Sequence, residues 1–100
     1  MEKVAKLSEL KDSEVKGVKV NGEEIAIYRV GNEVFATSDI CTHAECVISE
    51  NYDVQGEEVE CTCHGSKFNI KTGENTVPPA VEPLKTYPTK IEGDNILVEV

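Results

Sequence analysis

Apolar and polar residues alternate along much of this chain, and the alternation comes in short runs. Glu14-Val-Lys-Gly-Val-Lys-Val20 and Glu24-Ile-Ala-Ile-Tyr-Arg-Val30 send successive side chains to opposite faces, the two-residue period of a strand. Asn21-Gly22 lies between them, a pair suited to a tight hairpin because both residues tolerate positive φ. Gly31-Asn32 turns the chain into a third strand over 33–37. Further strand patterns cover 57–60, 67–70, 86–91 and 96–100, with turns at Lys71-Thr-Gly73 and Glu92-Gly-Asp-Asn95. No segment carries a helical period beyond a single turn over 8–12. Evenly spaced short strands predict an all-β fold, an antiparallel sandwich or barrel.

Length and composition narrow the class. One hundred residues without a repeat or low-complexity linker make one domain with a modest core. The longest apolar runs fall far short of a membrane span. The stretch MEKVAKLSELKDSEV lacks the apolar centre of a secretory signal, so a soluble, cytoplasmic protein is expected. The net charge of −9 comes from 19 acidic against 10 basic residues. Scattered basic residues argue against nucleic-acid binding, whereas an acidic surface keeps the protein in solution and suits a basic docking partner.

The chemistry is concentrated in two places. Cys41-Thr-His43 and Cys61-Thr-Cys63-His64 contain both histidines of the chain and three of its four cysteines, with Cys46 close behind the first pair. Two thiolates and two imidazoles arriving on two short loops suit an iron–sulfur cluster of mixed ligation. The same donors suit tetrahedral zinc, and Cys41, Cys46, Cys61 and Cys63 together suit an all-thiolate cluster. The seventeen-residue spacer weighs against a zinc finger. The all-thiolate set leaves both histidines without a role.

Cys-x-His, a spacer and Cys-x-x-His, followed here by Gly65-Ser66 and later by Val77-Pro-Pro-Ala80, resemble the Rieske [2Fe–2S] family. The resemblance covers about residues 35–85 by motif and the remainder by strand pattern. It implies a Rieske-like fold over 1–100, with a cluster-binding part at about 38–82 inserted in a β base of about 1–37 and 83–100. It implies one [2Fe–2S] cluster per chain, Cys41 and Cys61 holding one iron, His43 and His64 the other. Two of the four ligands are then neutral imidazoles, which make the centre easier to reduce than an all-thiolate one.

Cys46 and Cys63 fall where the respiratory subgroup of the family has a disulfide across the two loops. Two reduced thiols are the alternative in a reducing compartment. Gly65 is implied to let backbone approach the cluster, and Ser66 to donate to a cluster sulfide. Phe68 stands where that subgroup has a tyrosine donor, so a lower potential is expected than in the respiratory proteins. Pro79, with Pro78, is implied to cover the cluster as a rigid loop.

These features predict an electron-transfer protein, not an enzyme: a soluble, monomeric one-electron carrier between a reductase and an oxygenase or other acceptor. No glycine-rich nucleotide loop is present, and no histidine remains for a mononuclear iron site. A small Rieske subunit of a larger oxidoreductase is the second expectation.

Overall fold

The computed structural model describes residues 1–42, 46–63, 65–78 and 82–100. Eleven strands among them form three antiparallel sheets. The largest hairpin is β2 (Val15–Val20) with β3 (Glu23–Val30), joined at Asn21 and Gly22, whose φ angles are both positive (51° and 83°). That is the turn that matches strand twist, as the Asn-Gly pair predicts. β4 (Glu33–Ser38) and the short β9 (Thr86–Tyr87) complete this sheet in the order β2-β3-β4-β9. A second sheet has the order β1-β11-β10, with β1 at Glu2–Lys6, β10 at Thr89–Glu92 and β11 at Asn95–Val98. The third runs β5 (Tyr52–Gln55), β6 (Glu58–Cys61), β7 (Ser66–Asn69) and β8 (Asn75–Val77). Helix is confined, among the described residues, to single 3-10 turns at Leu7–Glu9 and Ile48–Glu50.

Strand β3 departs from simple alternation. Ile25, Ala26, Ile27 and Tyr28 are all fully buried. Ile25 and Ile27 pack with Val34, Ala36, Ile96 and Val98, while Ala26 and Tyr28 pack with Val59, Phe68, Cys41 and Cys61. The β2–β3–β4 sheet is therefore a middle layer with a core on each face, and its central strand is apolar on both sides. Burying each large side chain contributes roughly 1.5–3 kcal/mol.

Three strands escape the pattern of hydrophobic positions. β1 is an edge strand of Glu, Lys, Val, Ala and Lys in which Ala5 alone is buried. β5 and β8 are short and half exposed. The expected strand at 86–91 is also two strands in two different sheets. Pro88 separates them: it lacks an N–H, and its carbonyl accepts the Glu99 N–H (3.0 Å).

Candidate metal centre

Two hairpin loops meet over the inner core. The first is closed at its base by the Cys41 N–H donating to the Cys46 carbonyl (2.9 Å) and by bridge pairing of Ile40 with Val47. Asp39 anchors the 3-10 turn after this loop. Its Oδ1 accepts the Ser49 N–H (2.7 Å) and its Oδ2 the Ser49 hydroxyl (2.6 Å). Its carbonyl takes the Ile48 N–H (2.8 Å). Burial pushes the Asp39 carboxyl above its ordinary pKa, and the two Ser49 bonds oppose that shift. Gly17 lies against this pair, where a Cβ would stand 2.5 Å from the Ser49 hydroxyl, so the sheet can approach the loop only at a glycine.

The second loop joins β6 to β7, with Cys61 paired to Ser66 across its neck. Gly65 has φ +81°, and its N–H donates back to the Cys61 carbonyl (2.9 Å). The glycine expected to admit backbone close to a cluster thus closes the turn with its own amide. Ser66 is fully buried beside it, and Phe68, also fully buried, packs into the core that contains both Cys41 and Cys61. Segment 82–85 is tied on from a third direction. The Thr42 hydroxyl donates to the Glu82 carbonyl (2.8 Å), the Leu84 N–H to the Gly73 carbonyl (2.7 Å) and the Ser38 N–H to the Lys85 carbonyl (2.8 Å).

Four cysteines converge here. Cys46 and Cys63 form a disulfide across the two loops, with Cα atoms 6.7 Å apart. The pairing implied by the resemblance is present, and it removes both residues from the donor set. Cys41 and Cys61 are free thiols, both buried in the same core. Burial pushes the Cys61 thiol up, the Cys63 N–H opposes that, and the neighbouring Cys41 adds to it. The pair suits iron bound by two thiolates, since a cation offsets the charge of two neighbouring sulfurs. Ser66 and Phe68 line the same region. His43 and His64, like Pro79, lie outside the described residues; Pro78, which precedes that loop, is exposed.

One contributor is missing from the motif. The Tyr28 hydroxyl, fully buried, is 2.7 Å from that of Thr37, and Tyr28 belongs to the core holding the two thiols. Burial raises its pKa strongly, so it stays a neutral dipole beside them. Its apolar neighbours on β3 conceal it in the sequence.

The disulfide closes a loop of 17 residues, which in the chain-entropy account stabilises the fold by about 3 kcal/mol. Cys46→Ser combined with Cys63→Ser is expected to lower the melting temperature by roughly 12–24 °C, at about 4–8 °C per kcal/mol, while the protein still assembles its cluster. Calorimetry beside the visible spectrum checks both; loss of the cluster from the freshly reconstituted variant would make the pair ligands.

A buried thiol pair between two cross-linked loops of a layered β scaffold suits the class of iron–sulfur electron-transfer domains. The Rieske [2Fe-2S] domain model matches residues 1–88, and the chain belongs to that family. Its cofactor is accordingly a Rieske [2Fe–2S] cluster. The chain is 38% identical over 94 residues to the ferredoxin component of the naphthalene 1,2-dioxygenase/salicylate 5-hydroxylase systems of a Ralstonia species, covering 94% of this chain and 89% of that one. It is 41% identical over 97 residues to the biphenyl dioxygenase ferredoxin subunit of Pseudomonas sp. strain KKS102, covering 97% and 89%. Among solved structures, a complex of reduced oxygenase and oxidized ferredoxin in carbazole 1,9a-dioxygenase contains a chain that superposes with a TM-score of 0.90 at 32% identity, covering 97% of this chain and 99% of that one. These relatives are carriers rather than catalysts, as the sequence reading expects of this chain. No helix among the described residues is long and apolar enough to cross a membrane.

Proposed function

We propose that this chain is a cytoplasmic, monomeric carrier that takes single electrons from a reductase and delivers them to a Rieske-type oxygenase. The observation carrying the reading is the buried thiol pair Cys41 and Cys61, in one core beneath two disulfide-joined loops. Relatives named as ferredoxin components of dioxygenase systems supply the class of acceptor. When bound, the cluster supplies a one-electron store of tunable potential.

The residues divide the remaining work. Cys41 and Cys61 hold one iron as thiolates, and His43 and His64 hold the other through neutral imidazole. The Cys46–Cys63 bridge keeps the loops closed on either redox state, which lowers the reorganisation needed at each transfer. Ser66 donates toward a cluster sulfide. Phe68 supplies bulk and no donor, so the potential lies below that of the respiratory members. Residues 38–82 act as the cluster-binding part, inserted in a base of 1–37 and 83–100.

Charge supports docking at that part of the chain. Residues 38–82 contain nine acidic residues and two lysines, the rest ten acidic and eight basic, so most of the −9 belongs to the cluster-binding part. Both of its lysines are engaged, Lys71 with Glu57 (2.9 Å) and Lys67 with Glu58 (3.9 Å). A basic partner surface would be steered to this end. Electron transfer to an oxygenase is expected to slow at least tenfold or so between low salt and about 0.5 M salt, as the Debye length shrinks toward a few ångströms. Stopped-flow mixing measures it, and a rate that rises with salt would exclude a basic docking surface.

The ligand set is tested by EPR of the dithionite-reduced protein. A rhombic signal with the low average g value of mixed ligation is expected; the higher average g of an all-thiolate cluster would remove the histidines from the site.

A further inference from the structure

We propose that reduction of the Cys46–Cys63 disulfide turns this end of the molecule into a four-thiol site for a thiophilic closed-shell cation such as Zn²⁺ or Cd²⁺. The inference uses the same Cys41 and Cys61 as the proposed function, but requires nothing of His43 or His64.

Three sulfurs already converge: the Sγ atoms of Cys46, Cys61 and Cys63 lie within 4.8 Å of one another. The fourth, on Cys41, lies outside that 4.8 Å group but is buried with Cys61 in the same core, so it is the sulfur that must move in. A tetrahedral zinc centre with Zn–S bonds of about 2.3 Å has S···S edges of about 3.8 Å. Cys61 therefore needs to approach its neighbours by only about 1 Å, while the two sulfurs of the broken bridge separate by about 2 Å. The backbone need not open for this. The Cys41 N–H to Cys46 carbonyl bond and the Gly65 N–H to Cys61 carbonyl bond hold both turns without involving a side chain. Soft thiolates select zinc-type ions over hard ones.

The switch is an ordinary thiol–disulfide exchange. Cys63 is exposed and Cys46 half-buried, so a dithiol reductant reaches the bridge from solvent. One reductant thiolate attacks the Cys63 sulfur; the S–S bond breaks and Cys46 leaves as a thiolate. The second reductant thiol then closes on the first, forming the reductant's own disulfide and releasing Cys63. Two electrons pass from the dithiol to the protein. Cation binding afterwards displaces the remaining thiol protons to solvent. With the bridge intact, Cys46 and Cys63 cannot ligate. The disulfide thus withholds two of the four sulfurs from thiophilic ions as well as clamping the loops.

The experiment titrates Zn²⁺ alone into the full-length, cluster-free protein, once with the disulfide intact and once after anaerobic phosphine reduction. Accessible thiols are alkylated and mapped by mass. In the reduced protein, one Zn²⁺ per chain is expected to protect all four cysteines, and Cys46→Ala to weaken binding at least tenfold or so. In the oxidised protein Zn²⁺ is expected to protect Cys41 and Cys61 alone among the cysteines, because the other two sulfurs are held in the bridge. Protection of Cys41 and Cys61 alone in the reduced wild-type chain overturns the proposal, as does unchanged affinity in Cys46→Ala. The wild-type comparison needs no variant to fold. EPR of the cluster-loaded protein reads the histidine ligands separately, so failure of either reading leaves the other standing.

Discussion

His64→Cys is expected to retain a bound cluster while its reduction potential falls by on the order of 100 mV or more. Centres with two imidazole ligands span about −150 to +300 mV, whereas all-thiolate plant-type centres lie near −400 mV. The difference is electrostatic. A thiolate adds a full negative charge beside the metal where imidazole adds none, so the reduced, more negative state is disfavoured. Voltammetry measures the shift and EPR the accompanying rise in average g. His43→Cys is expected to behave the same way. If either variant keeps the wild-type potential and spectrum, that histidine is not a ligand.

Gly73→Ala, at a buried position in the turn after β7, is expected to be the most damaging glycine substitution among the described residues, at about 2–5 kcal/mol. Gly73 has φ +77°, a conformation that costs an L-residue roughly 1–2 kcal/mol. A Cβ at that position would stand far inside contact distance of the Leu84 carbonyl oxygen, a backbone atom that cannot rotate aside. Relieving that overlap costs a further 1–3 kcal/mol or so. The Gly73 N–H also donates to the Asn69 carbonyl and its own carbonyl accepts from Leu84, both at 2.7 Å. Displacing it therefore loosens segment 82–85, which Thr42 uses to brace the first loop. Thermal unfolding is expected at least 10 °C lower, at roughly 4–8 °C per kcal/mol, with faster bleaching of the visible band. Gly22→Ala is the control: its φ is also positive, but nothing lies within 4 Å of the added atom, so it carries the conformational cost alone. Equal losses in the two variants would mean that the contact with Leu84 contributes nothing.

Much of the scaffold was legible because strands that face one core repeat every two residues. Asn95–Val98 follows that period with Ile96 and Val98 on one core, and the Asn21-Gly22 and Glu92–Asn95 turns carry their own residue signatures. The hidden elements have a common cause in long-range contact. Strand β1 is visible only because β11 pairs with it, and β5 only because it folds back on β6. Tyr28 is one apolar residue among four until the sheets pack on both faces of β3. Asp39 is a polar residue before a motif until Ser49 and Gly17 close around it.

The sequence by itself determined the kinds and spacing of the donors, cysteine and histidine in two short loops, together with a β period and an acidic balance. Those are local properties: side-chain chemistry and a two-residue repeat survive without knowledge of what lies across the fold. Tertiary structure decided the separate fates of four chemically identical sulfurs. Cys46 and Cys63 became a covalent clamp because the two turns bring their Cα atoms to 6.7 Å, while Cys41 and Cys61 were drawn into the core and left as thiols. Motif spacing already marks Cys41 and Cys61 off from Cys46 and Cys63 by resemblance; the burial and distance that realise the difference arise only when the loops fold together.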